Sequence, residues 1–357
     1  MAEITSKDIV VGLKKGVTWG TEVVITSGIY LPCSSAKVSG GFNSFEARDV
    51  GTSGFKTTQA RLGSAFNVTW TMDTTHGNGW LALLASLMGT ESSPSETTPS
   101  QGDYLVNIDL AASNDGLFWT CAWSIESNKV MVLPSVKVGS VKGSIDINGA
   151  GQLTFTGIAD RFMVSSTSTV ANIAALTQYT YQTATMGGAN HYFRFGADTG
   201  GSFSSSNDLD IQGIDFEISR NLNPRYGFRA GNTPYTKEPY QTGLIKGSLR
   251  IRFSQQDASI VDVFADYYSS NYKKAEFFID GSQIAAGANR SLKIQWPYLQ
   301  NPGSLPEGFD FANNSSLLLP VLDYSAMKRS AAPTGMSGVT NYMRVVSVQE
   351  RATKWTA

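Results

Sequence analysis

The segment AFNVTWTMDTTHGNGWLALLASL (residues 65–87) changes its period halfway along. Phe66, Val68, Trp70 and Met72 alternate with Asn67, Thr69 and Thr71. Period 2 is a strand with one apolar face. The breaker-rich DTTHGNG follows. Trp80, Leu83, Leu84 and Leu87 then recur at i, i+3, i+4 and i+7, one face of a short helix that stops at Gly89.

The same unit returns in GSLRIRFSQQDASIVDVFADYY (residues 247–268). Leu249, Ile251 and Phe253 alternate with Arg250 and Arg252, Asp257 suits an N-cap, and Ile260, Val263, Phe264 and Tyr267 repeat the helical face. The flanks extend the match. DYLVNIDL and GLFWTCAWSI follow the first unit as two strands; KKAEFFIDG and RSLKIQWPYL follow the second. KGSIDINGAGQLTFTGIA (142–159) aligns with QGIDFEISRNLNPRYGF (212–228), each a strand, a turn and a return. A slip near Gly213 predicts a bulge.

These patterns predict an α+β fold, mainly antiparallel β, made of two tandem domains with one flanking helix each. The expected division is 1–162, a linker at 163–190, and 191–357 ending on a strand in GVTNYMRVVSVQE. Within the linker, Ile173, Leu176, Tyr179 and Tyr181 suggest that part of it packs.

Composition narrows the function. Charged residues are 16% of the chain, against a usual figure of about 25%. The net charge is −1 and the basic residues are scattered, which disfavours a nonspecific nucleic-acid binder needing a cationic stripe. The opening MAEITSKDIVVGLKKG lacks a signal-peptide core, and no apolar run reaches membrane-span length. Cys33 and Cys121 read as buried free thiols of a protein made in a reducing cytoplasm.

Chemical motifs fail on inspection. Asp198-Thr199-Gly200 matches an aspartic-protease triplet but has no second copy to share its proton. Asp208, Asp210 and Gly213 approach a calcium loop, but Ser219 stands where the bidentate Glu belongs. His76 and His191 lack zinc-site spacing to the cysteines. No nucleophile elbow or nucleotide fingerprint occurs. The expectation is no enzyme, no cofactor and no metal.

Four stretches together resemble the tail tube proteins of long-tailed, siphovirus-type bacteriophages: VVGLKKGVTWGTEVVITSGIYLP (10–32), FNSFEARDVGTSGFKTTQARLG (42–63), AFNVTWTMDTTHGNGWLALLASLMG (65–89) and LPSVKVGSVKGSIDINGAGQLTFTGIA (133–159). The resemblance implies β-sandwich or half-barrel domains, six to a ring, with rings stacked into a tube that conducts the genome. Tandem-duplicated members build the ring from three chains. The implied partners are further copies of itself, a tape measure protein, and tail terminator and tip proteins. Viral DNA would pass without specific binding, and the location would be the virion tail, after synthesis in the host cytoplasm. Another virion part (a decoration or terminator protein) and a carbohydrate-binding β module displaying Tyr235, Tyr240 and Trp296 stand as alternatives.

Within that reading, the loop regions 39–59 and 219–241 are long, Gly-containing and of mixed charge. Phe45, Glu46, Arg48, Asp49 and Lys56, with Arg220, Arg225, Tyr226, Arg229 and Lys237, are the candidates for ring-to-ring contact. Asp146, Asp215 and Glu217 lie opposite the apolar positions of their strands and are the candidates for an acidic channel wall. Asp146 and Glu217 are expected at equivalent places in the two copies.

Overall fold

The computed structural model describes residues 10–48, 56–73, 79–126, 129–146, 151–176, 191–226, 236–253, 269, 271–303 and 321–357, with the backbone alone for 42–48, 56–64, 125 and 126. In chain order the first half runs β1 (Val11–Lys15), β2 (Ile29–Leu31), β3 (Ser35–Arg48), β4 (Lys56–Asp73), α1 (Trp80–Met88), β5 (Gly89–Glu91), β6 (Ser95–Glu96), β7 (Tyr104–Leu110), β8 (Trp119–Glu126), β9 (Lys129–Asp146) and β10 (Gln152–Ala159). Then come β11 (Met163–Val164) and α2 (Val170–Ala174). The second half runs β12 (Tyr192–Ala197), β13 (Ile211–Ser219), β14 (Leu222–Tyr226), β15 (Thr236–Gln241), β16 (Lys246–Phe253), β17 (Lys273–Ala285), β18 (Ala288–Gln300), β19 (Val321–Ala326) and β20 (Arg344–Gln349).

Every pairing between these strands is antiparallel, as the alternating pattern predicts. One layer has the order β3-β4-β10-β9-β13-β16-β19. A second has the order β12-β17-β18-β20-β7-β5. Long strands turn the corners. The first part of β9 leaves the first layer to pair with β8, which continues to β1 and β2. The end of β18 reaches β19 at Leu299 and Gln300.

Helix α1 fills the space between the layers, which is why all nine of its residues are buried. Trp80 and Leu84 share a small apolar void with Val141, Ile145, Leu153, Phe155 and Phe216 on one side and Leu292, Ile294, Met343 and Val345 on the other. A helix apolar all round belongs in such a core, not on a surface. The second expected helix, beginning near Asp257, lies outside the described residues.

The pairing order repeats. The series β1-β8-β9-β10-β4-β3 recurs as β12-β17-β18-β19-β16-β13. This places the shared strand–helix pattern of β4 and β16 in matching positions but corrects two alignments. The counterparts of β8 and β9 are β17 and β18, so DYLVNIDL (β7) has no partner in the second series. Residues 142–159 and 212–228 do not correspond either, because this order matches β9 with β18 and β13 with β3, and β9 and β13 are instead neighbours in one sheet. Short sequence alignments missed this because any two half-buried strands share the same period-2 pattern.

The linker is partly structured. Thr169 and Asn172 form a capping box on α2, and Ile173 and Leu176 pack with Ile25, Ala122, Val130 and Val132 of the first half. Tyr179 and Tyr181 lie outside the described residues. The expected last strand, β20, pairs with β18 and also with β7 over Tyr104–Asp109, binding the halves together a second time. Beyond it, the backbone N–H groups of Trp355 and Thr356 donate to the Glu91 carboxylate at 2.7 and 3.0 Å.

The C-terminus of α1 depends on a residue from the other half. Leu87 and Met88 carry carbonyls without an intrahelical partner. Buried Arg220 donates Nε to Leu87 O, and Nη2 to Met88 O at 2.7 Å and Ala111 O at 2.9 Å. Burial pulls this guanidinium down to about 10, partly offset by Asp115, and it still carries its charge at neutral pH. Arg220 follows β13 directly, and Asn221 at φ 49° turns the chain toward β14. We expect Arg220→Met to cost about 3 kcal/mol, chiefly by taking the guanidinium from the Leu87 carbonyl while Met88 O keeps the Ala111 N–H, read as a lower midpoint in urea unfolding of the full chain. Arg220→Lys should lose less.

Candidate functional site

Over the described side chains, the outer face of the seven-stranded layer is mainly polar, whereas its inner face is the core. Strand register assembles the polar residues into rows. One row crosses Ser35, Thr71, Thr154, Lys142, Glu217, Ser248 and Ser325. The next crosses Asp73, Gln152, Ser144, Asp215, Arg250 and Asp323. On the other side of the first row lie Lys37, Thr69, Thr156, Ser140, Ser219 and Lys246. Period-2 alternation forces this separation, since each inward Val, Phe or Ile must alternate with an outward residue.

The rows are cross-linked. Arg252 bridges two strands, pairing with Asp146 through Nη2 and with Asp215 through Nη1 at 3.0 Å. Ser144 Oγ donates to the second Asp215 oxygen at 2.6 Å. Lys142 meets Glu217 at 3.3 Å, and Arg250 lies 3.9 Å from Asp323. Hydroxyls fill the remaining area; Ser140 and Thr156 are 2.5 Å apart. A shallow depression of the face is lined by Lys142, Ser144, Gln152, Thr154, Asp215, Glu217, Ser248, Arg250 and Asp323.

Asp146, Asp215 and Glu217 therefore do share one face, as their alternation predicted. Two features of the expectation are corrected. Asp146 and Glu217 are not equivalent residues of two copies; they sit on adjacent strands, with Asp146 opposite Gly213 and Glu217 opposite Lys142. Nor is the face acidic, because each carboxylate of the set has a cation beside it. Sequence alternation put Arg250 and Arg252 on the polar side of β16, but only register could set them against Asp215 and Asp146.

The seam between β9 and β13 runs through the middle of the face, with seven residue pairs from Ser140↔Ser219 to Asp146↔Gly213. Gly143 is opposite Phe216, and a Cβ there would lie 2.3 Å from the Phe216 ring. The missing side chain lets Phe216 lie across the seam and reach Trp296 on β18, with ring centroids 5.9 Å apart at 63°. The bulge expected at Gly213 is present, as a register shift between Ile211 and Gly213.

The other candidates divide. β3 and β4 continue as a paired hairpin to Arg48↔Lys56; this holds the backbone of Phe45, Glu46, Arg48 and Lys56, while Asp49 lies outside the described residues. Arg225, Tyr226 and Lys237 are exposed on the separate β14–β15 ribbon, and Arg229 is outside the described residues. Arg220 is corrected: it is buried at the C-terminus of α1 and presents nothing to a neighbour. The base of the ribbon is fastened to the first half. Buried Lys137 pairs with Glu238 at 2.7 Å and Asp115 at 3.0 Å, and Trp19 Nε1 donates to Thr236 O at 2.7 Å. Of the aromatics weighed for a sugar-binding module, Trp296 is core, Tyr240 is exposed under Arg225, and Tyr235 is outside the described residues.

Among the described residues no His, Cys, Asp and Glu cluster could hold a metal, and no helix is long and apolar enough to cross a membrane. Cys33 and Cys121 are free; burial pushes the Cys33 thiol up to about 11 and raises Cys121 too, so neither is a thiolate at neutral pH. What remains among the described residues is a two-layer β structure with a broad polar face. A family model described as phage tail tube protein matches residues 6–294. The chain belongs to that family. The match begins before β1 and ends within β18, so it spans both series of strands. A comparison with curated proteins finds no match. Family membership makes this a structural protein of the virion tail, one that oligomerises into a tube and associates with other tail components.

The seam can be tested in the tail tube protein directly. Gly143→Ala should lower stability by about 1–3 kcal/mol through overpacking against Phe216. Adding Phe216→Leu should recover part of the loss. Chemical denaturation of the two single variants and the double variant would show this as a coupling energy.

Proposed function

We propose that three copies close a ring of pseudo-sixfold symmetry, and that rings stack into a hollow tube through which the genome leaves. Residues 1–162 and 191–357 would be the two ring units and 163–190 the linker. The observation that carries this reading is the β9–β13 seam. It joins the series β3-β4-β10-β9 to β13-β16-β19 as one hydrogen-bonded layer, across the boundary between the two repeated strand orders.

That seam is a template for the joint between chains. β13 receives β9 along the edge not used by β16. Its counterpart β3 pairs with β4 alone among the described strands. An open edge of this length is an aggregation hazard in a monomer but a joint in a ring. In this reading β3 accepts the end of β18, the counterpart of β9, from the next copy, and the three seams within chains alternate with three between them. The polar face becomes the channel wall, with Asp146, Asp215 and Glu217 upon it. DNA passes along it; tape measure, terminator and tip proteins are the partners at its length and ends.

Ring-to-ring contact falls to the β3–β4 hairpin, with Phe45, Glu46, Arg48, Asp49 and Lys56, and to the ribbon, with Arg225, Tyr226, Arg229 and Lys237. Native mass spectrometry and electron microscopy of assembled protein should give three chains per ring; six would overturn the stoichiometry. Removing residues 43–57 should leave folded rings that do not stack. Normal tubes from that variant would take the hairpin out of the contact.

A further inference from the structure

Among the described side chains, the three rows of the polar face, with Asp146 and Arg252 at their margin, carry five carboxylates (Asp73, Asp146, Asp215, Glu217, Asp323) and five cations (Lys37, Lys142, Lys246, Arg250, Arg252). Their formal charges cancel. Their arrangement is not that of a mixed surface with scattered charges. The three cations nearest the seam each face a carboxylate on a neighbouring strand: Lys142 on β9 with Glu217 on β13, Arg252 on β16 with Asp215 on β13 and Asp146 on β9, and Arg250 on β16 with Asp323 on β19.

We propose that these carboxylates are counter-ions that keep Lys142, Arg250 and Arg252, the cations beside the seam, from binding a phosphodiester polymer, so that this part of the face is non-adhesive by internal pairing and not by net negative charge. The proposal rests on the channel reading above for its biological use, but not for its chemistry. A free guanidinium forks onto phosphate oxygens as readily as onto a carboxylate. DNA gains affinity from each phosphate neutralised, through release of condensed counter-ions. Arg252 would be a strong anchor if its fork were open. Here the fork is divided between Asp146 and Asp215, and Ser144 holds Asp215 in place by accepting nothing from Arg252 and donating to the far oxygen. A phosphate would have to displace an ion already seated on a rigid strand. The surrounding Ser and Thr hydroxyls offer only neutral, exchangeable contacts.

The arrangement also accounts for why cations are present at all. Carboxylates facing one another across neighbouring strands, with nothing between them, would repel and loosen the sheet. Alternating signs across β9, β13, β16 and β19 instead hold the strands in register while leaving a sliding polyanion little net field beyond a Debye length of roughly 8–10 Å.

The test uses the full-length soluble chain before assembly, with a fluorescein-labelled double-stranded DNA oligonucleotide at low salt and anisotropy as the readout. The double variant Asp146→Asn/Asp215→Asn opens Arg252. Glu217→Gln opens Lys142 independently, should the first variant fold poorly. Glu96→Gln/Asp280→Asn removes two carboxylates from strands outside this face and controls for net charge. We expect the wild type and the control to bind weakly and alike, and the Asp146→Asn/Asp215→Asn chain to bind about tenfold more tightly, with the gain erased by added salt. Binding no tighter than the control in both face variants overturns the proposal. Genome delivery by virions built from the same variant separates the two readings. Gained binding with normal delivery leaves the pairing intact and moves the face off the channel; gained binding with stalled delivery supports both.

Discussion

The architecture depends on one backbone seam. β9 and β13 come from opposite halves of the chain, yet their hydrogen bonding makes a single layer out of what would otherwise be two small sheets. Neither half could bury its apolar face equally well alone. Phe216 crosses the seam over Gly143 to Trp296, and Arg220, at the end of the same strand, completes the helix of the other half. The seam therefore fixes three things together: the continuity of the polar face, the roof over α1, and the course of the chain into the β14–β15 ribbon. The C-terminal strand and the Glu91 contacts reinforce the union from the second layer.

Much of this was legible in the sequence because alternation is a strong local signal. The strands β4, β10, β13 and β16, the helix α1, the bulge at Gly213 and the sidedness of Asp146, Asp215 and Glu217 all follow from period 2 or 3.6 in short windows. What escaped was register and partner. Nothing in SIDI or IDFEI says that the two strands lie side by side, since either would pair with any strand of the same face pattern. Hence two aligned segments proved to be neighbours, and carboxylates expected to make a face acidic proved to have cations beside them.

Arg220 shows the same limit at the level of one residue. It stands in a polar stretch, SRNLNPRYGF, where an arginine reads as surface. Its burial is decided by helix α1, well over a hundred residues earlier, whose last turn Arg220 completes by donating to Leu87 O and, beside the Ala111 N–H, to Met88 O. Lys137 also hides its partners: a lysine among valines on β9 looks misplaced until the ribbon brings Glu238 and the β7–β8 turn brings Asp115 to it. Only Lys137 carried a signal in the sequence, a charge between two valines; Arg220, in a polar stretch, carried none.

The fusion of the two halves has a kinetic meaning. A seam within one chain forms at an effective concentration set by the tether, on the order of millimolar, whatever the amount of protein in the cell. A seam between chains forms only as fast as copies meet. In the ring of three proposed above, half the joints would be unimolecular and complete before any encounter, so a ring would assemble in two encounters between chains where six separate halves would need five. The onset of assembly would then depend less steeply on subunit supply, and each arriving piece would already display a finished example of the proposed joint.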